Sequence, residues 1–271
     1  MKKKLFLLTV ALGAMLFITS CEKDSIIEMT SESAVTYSLG CNLLSADAYA
    51  QIPVAVKLNK ITLPTSISLN VPPIGNQGVE ASSVAWGTAY AGRSISYQNT
   101  YGGAYNFSVN IFSPEFVNNL IGSGAYTTDG LDLLVDTGVC TWNTMPYTDV
   151  DCDDMPDSAQ IAEAANYTIS SYATVAITET ALKAQLAVGK IIVVAGYVYG
   201  AYMNLGYDQV ITDASGRNYG RHCYACVGYD EAKQAFKFMN SWGTSWATDG
   251  FGWMGYNVIG SYWREAYVLY E

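Results

Sequence analysis

Apolar and polar positions change their rhythm along this chain, and each change marks a different kind of element. From Ser83 to Tyr97, Val84, Ala85, Gly87, Thr88, Ala89, Tyr90 and Ala91 form a proline-free run of mostly small residues, which predicts a helix packed on several sides. Ser113-Pro114 places a capping hydroxyl before a proline at the first helical position, so a second helix is expected to begin there. Gly130 to Val135, closed by Gly138, reads as a third, and Ala46 to Val56 has weaker helical spacing. Beyond Thr178 to Val188, a helix stopped by Gly189, the pattern becomes apolar runs bounded by turn residues. Ile191 to Tyr197, His222 to Tyr229, Ala235 to Met239, Gly250 to Tyr256 and Ala266 to Tyr270 are therefore expected as strands, with a turn at Asp230 to Lys233. Helices come first and strands later, which predicts an α+β chain with a helical lobe and a sheet lobe.

The first residues follow another logic. Lys2, Lys3 and Lys4 precede an apolar stretch from Leu5 to Phe17, too short to be a spanning helix, so residues 1–20 read as an export signal. Cys21, just after this stretch and its small residues, resembles the lipidated cysteine of a bacterial lipobox, which implies a lipid anchor on an envelope lipoprotein, at the outer membrane or cell surface. Residues 21–33 are then a polar tether, residues 34–60 a short extension packed on the domain, and residues 61–271 the main domain. The net charge of −10 deepens once the three signal lysines are removed, which disfavours nucleic acid as a partner.

Five cysteines remain after Cys21, so at least one thiol has no intramolecular partner. Cys140 and Cys152 flank a loop that an exported protein is able to cross-link. Cys223 and Cys226 have C-x-x-C spacing, but they lie in an apolar strand where alternation sends them to opposite faces, as core thiols. The acidic run Asp149 to Asp154 lacks the glycine and glutamate of a calcium loop and reads as solvated. No cofactor or metal is implied.

The chemistry concentrates in three separated segments. Pro72 to Trp86 contains Gln77 and, six residues later, Ser83; far downstream stand His222, the only histidine, and Asn240-Ser241-Trp242-Gly243. This order and spacing resembles the papain-like (C1) cysteine peptidases, with serine where the family has its nucleophilic cysteine. The resemblance runs from Leu63-Pro64-Thr65 to Glu271 and implies a two-lobed fold, a helical lobe beside an antiparallel sheet or barrel, with a cleft for extended peptides. It further implies Ser83 in the nucleophile position, His222 as base, Asn240 as its orienter, Gln77 with the Ser83 N–H as oxyanion hole, and Trp242 shielding the Asn–His contact. Glu80 and Asn119 stand where disulfide cysteines of the family lie, so the usual bracing of the helical lobe is missing.

The serine alters the expected mechanism. A thiol is ionised in advance by a helix end and an imidazolium, whereas a hydroxyl keeps its proton until the base removes it during attack. The imidazolium so formed needs anionic support, and Asn240 is neutral. The sequence therefore predicts an impaired or inactive peptide-binding homologue. Its rivals are an active serine hydrolase using Ser83, His222 and Asn240, and a structural or adhesion lipoprotein. If catalysis is lost, Ser82-Ser83 reduces to a helix cap.

Overall fold

The computed structural model describes residues 37–58, 61–149 and 154–271, so Cys21, the tether and Cys152 lie outside the described residues. The predicted helix at Ser83 forms as one continuous helical run: an α-turn Ser83–Ala85, a widened π-helical stretch Trp86–Arg93 and an α-helix Ser94–Tyr101. Every residue from Ser83 to Ser96 is buried. The small residues explain how the helix approaches the sheet: a Cβ on Gly87 would meet Cys223 Sγ at 2.6 Å, and one on Gly92 would meet Val193 at 2.9 Å. The far end is fastened by Arg93, whose guanidinium lies 2.7 Å from the Glu271 carboxylate while Ser96 Oγ donates to the same group at 2.6 Å.

Helix Pro114–Ile121 begins as the sequence predicts, with Ser113 Oγ accepting from Phe116 N at 3.0 Å. Helix Thr127–Asp136 starts three residues before the predicted Gly130 and ends before Gly138, which takes φ +84°. Helix Glu179–Ala187 is capped by Thr178 and followed by Gly189 at φ +80°. The helix expected over Ala46 to Val56 stops at Tyr49. Proline at 53 cannot donate to a helix, and the chain there pairs instead with a strand, Ala55 N donating to Thr174 O at 2.8 Å.

Among the described residues there are eight strands: β1 (Ser66–Ser68), β2 (Ser171–Thr174), β3 (Ile192–Tyr199), β4 (Val210–Ile211), β5 (Asn218–Asp230), β6 (Ala235–Met239), β7 (Phe251–Gly255) and β8 (Trp263–Tyr270). They order as β2-β8-β3-β5-β6-β7-β4, with β1 added to β5. Pairing is antiparallel except between β4 and β7. The path is open, so the lobe is a sheet and not the closed barrel that was the other expectation.

Alternation along β3 divides the core. Ile192 and Val194 join Cys226, Phe236, Phe238 and Trp246 on one face, while Val193 and Ala195 join Cys223, Ala85, Phe116 and Leu131 under the helical lobe. A strand buried on both sides shows no polar alternation, which is why β3 reads as an unbroken apolar run. Cys223 and Cys226 lie on opposite faces as expected, both fully buried.

Candidate active site between the lobes

The first turn of the long helix, the middle of β5 and the loop after β6 bring the predicted residues together. His222 stands on β5 opposite Gly196 of β3, where a side chain would collide with Tyr262 O at 1.8 Å. Asn240 directly follows β6, its N–H donating to Gly250 O at 3.0 Å. Loop 75–77 is laced to loop 241–243, Gln77 N donating to Ser241 O at 2.8 Å and Gly243 N to Gly75 O at 2.9 Å. These bonds carry Gln77 to the neighbourhood of His222 and Asn240 from a position 163 residues before Asn240 in the chain.

Asn240 Oδ1 accepts from Ser241 N at 2.8 Å and lies 2.8 Å from His222 Nε2. An oxygen that already accepts can meet the imidazole only as an acceptor, so Nε2 carries the proton and Nδ1 holds a lone pair. Trp242 stacks on the imidazole at 4.8 Å, and the ring is fully buried. Burial disfavours the cation and pushes the His222 pKa down to about 4, against the Asn240 contact that favours it. At neutral pH the imidazole is uncharged.

Ser83 Oγ does not bond to this ring. It accepts from the backbone N–H of Cys223 at 3.2 Å, and Nδ1 has no hydrogen-bond partner. Nor does the serine pair cap the helix: Ser82 makes no capping bond, and its hydroxyl lies 2.7 Å from Tyr147 Oη. Among the described residues no thiol offers a substitute, because burial pushes Cys41, Cys140 and Cys226 up to about 12 and Cys223 well above its ordinary value.

Gln77 is held at both ends of its amide. Its Oε1 accepts from Ser241 Oγ at 2.6 Å, and its Nε2 donates to Glu80 O and to Leu39 O, each at 3.0 Å. Leu39 belongs to the N-terminal extension expected to pack on the domain. The extension lies along the candidate site. Tyr37 stacks on Trp242 at 4.5 Å, Trp242 Nε1 donates to Ser38 O at 2.8 Å, and Asn42 N donates to Ala125 O at 2.9 Å. Gly40, at φ +111°, passes so close to Ala81 that a Cβ would sit 2.1 Å from its carbonyl oxygen. Leu44 N then donates to the buried Glu265 carboxylate at 2.6 Å.

A helical layer on an antiparallel sheet, with a Gln, a helix-end hydroxyl and a His–Asn pair between them, is the architecture of a papain-type protein. Residues 65–270 match the papain family cysteine protease, and the chain belongs to that family. Among solved structures it is similar to xylellain, a cysteine protease from Xylella fastidiosa, with a TM-score of 0.76 and 25% identity over 89% of this chain and 99% of that one. It also shares its fold with proCathepsin B S9 from Trypanosoma congolense (TM-score 0.69, 18% identity, 86% of this chain and 87% of that one). The bromelain protease from Ananas comosus, solved with the E64 inhibitor, is a further fold neighbour (TM-score 0.64, 17% identity, 77% and 99%). The gamete and mating-type specific protein A of Dictyostelium discoideum is 27% identical over 182 residues, which is 66% of this chain but only 39% of that protein's length.

Proposed function

We propose that this chain is a peptide-binding member of the papain family with weak or no peptidase activity, its site formed by Gln77, Ser83, His222, Asn240 and Trp242. One observation carries the reading. The chain's own residues 37–39 lie on the site, Ser38 O accepting from Trp242 Nε1, Leu39 O accepting from Gln77 Nε2 and the Tyr37 ring stacking on Trp242. Backbone-directed contacts of this kind accept an extended segment with little regard to its side chains.

Catalysis is disfavoured by the same geometry. Serine attack requires an imidazole that accepts a proton during bond formation, yet burial holds the His222 cation at a pKa of about 4 and its partner is a neutral amide. The Ser83 hydroxyl is engaged by Cys223 N–H, and the Gln77 amide that would polarise a scissile carbonyl is occupied by Leu39 O. The proposal includes residues 1–20 as an export signal and Cys21 as the lipid-bearing residue of an envelope lipoprotein.

The test compares wild type, Ser83→Ala and Ser83→Cys on unstructured peptides and with a thiol-directed epoxide. Wild type and Ser83→Ala should bind peptide equally and hydrolyse it equally little. Ser83→Cys should become labelled and proteolytic once added peptide displaces Leu39 from Gln77, since a thiol gives up its proton far more readily than a hydroxyl. Efficient cleavage by wild type that Ser83→Ala abolishes would make Ser83 a true nucleophile and overturn the proposal.

A further inference from the structure

Tyr147 lies beneath the loop that joins Gln77 to Ser83. Its Oη is 2.9 Å from Gln77 O, 2.8 Å from Glu80 Oε2 and 2.7 Å from Ser82 Oγ. All three neighbours are oxygens, so the three contacts need three protons. Tyr147 supplies one and Ser82 supplies another. A third is available when the Glu80 carboxyl is protonated: Glu80 then donates to Tyr147, Tyr147 donates to Gln77 O, and all three contacts are made. If Glu80 is ionised, two acceptors compete for the single phenol proton, and the charged one forms the stronger bond. The Gln77 carbonyl then loses this donor.

We infer that Glu80 is a proton-operated positioning residue for the Gln77–Ser83 loop, closing the Tyr147 network when protonated and drawing the phenol proton away from the Gln77 carbonyl when ionised.

The surroundings favour the protonated form. Glu80 stands three residues before Ser83 on a loop covered by Tyr147, whose ring packs against Trp86 at 4.9 Å. The charged groups facing it are acidic. Asp149, from the loop beyond Tyr147, accepts from Val79 N at 3.3 Å, and Glu115, from helix Pro114–Ile121, accepts from Thr148 N at 2.9 Å. Burial first, and the Asp149 charge after it, push the Glu80 carboxyl above its ordinary value, while contacts with Tyr147, Asn118 and Ser82 pull it down. Glu115, buried nearby, is itself pushed up to about 7, chiefly by burial, with the Glu80 charge among the causes. Glu80 stands at a position where the family resemblance implies a disulfide cysteine, so a titratable contact takes the place of a covalent one. Its strength then depends on pH.

The inference rests on Gln77 being the amide donor of the site, but its test does not depend on peptide binding. Carboxyl carbon signals of glutamate and the side-chain amide signal of Gln77 would be followed by NMR from pH 4 to 9 in the full domain. Glu80, assigned by its loss in Glu80→Gln, should titrate above the ordinary glutamate value of about 4.3, and the Gln77 amide should shift with the same midpoint. The Gln77 step should vanish in Glu80→Gln, whose neutral amide cannot ionise. Tyr147→Phe should abolish it too while Glu80 still titrates, and Glu115→Gln should retain it. A Gln77 signal that stays flat while Glu80 titrates, a Glu80 midpoint near 4.3, or a step that disappears with Glu115→Gln instead would each overturn the inference. Failure of peptide binding in the earlier test would leave these titrations as predicted.

Discussion

The carbonyl oxygen of Leu39 lies 3.0 Å from the side-chain nitrogen of Gln77, so the amide that the family resemblance assigns to the oxyanion hole is occupied by the protein's own chain. Any peptide that enters must displace residues 37–44 and replace their hydrogen bonds. Each such bond contributes on the order of 1 kcal/mol net, so competition between the segment and a ligand is finely balanced.

Gly40→Val should shift that balance. Its backbone sits at φ +111° and the new Cβ would overlap the Ala81 carbonyl, so the segment cannot stay seated without strain. Added extended peptide should bind at least about tenfold more tightly than to wild type, a change of about 1.4 kcal/mol. Fluorescence anisotropy with a labelled peptide measures this. Unchanged affinity would mean that residues 37–44 do not cover the binding site.

His222 offers a clean probe, being the only histidine in the sequence. Its NMR titration should have a midpoint near 4, with the proton on Nε2 in the neutral ring above that midpoint. The unfolded imidazole titrates near 6.5, so it takes up a proton that the folded ring refuses. The contribution of His222 to stability is therefore complete above about 6.5 and is lost as pH falls toward 4. Trp242→Ala, by removing the stacked indole, should move the midpoint back toward 6.5; a wild-type midpoint already at 6.5 would contradict the buried geometry.

Glu115 should act with the opposite sign. Its carboxyl, 3% exposed and pushed up to about 7 chiefly by burial, is most at ease protonated. Its stabilising contribution is complete below the unfolded value of about 4.3 and is lost as pH rises through 7. Thermal melts of wild type and Glu115→Gln between pH 5 and 8 should converge or cross in favour of the variant as pH rises. Parallel curves would show that Glu115 ionises normally.

The envelope proposal has a direct check. Cys21→Ala should abolish metabolic labelling with a lipid precursor and release the protein from the membrane fraction, since one residue carries the anchor. Retention without label would point to another attachment.

Much of this protein was legible in its sequence because the signals are local. Ser113-Pro114 and Thr178 start helices by satisfying free N–H groups in the next turn, Gly138 and Gly189 follow helix ends because they adopt positive φ, and Ile192–Tyr199 is a strand because an unbroken apolar run needs cover on both faces. The order Gln77, Ser83, His222, Asn240 carried the family with it. What the tertiary structure alone decided is which acceptor each donor meets. Ser83 Oγ takes the N–H of Cys223, Gln77 Nε2 takes the carbonyl of Leu39, and Glu80 meets the phenol of Tyr147, pairs separated by 140, 38 and 67 residues. The sequence shows that these groups need partners, but several candidates satisfy each one equally well on paper. Only the packing of helix against sheet, which fixes distances to a few tenths of an ångström and shuts out water, selects among them.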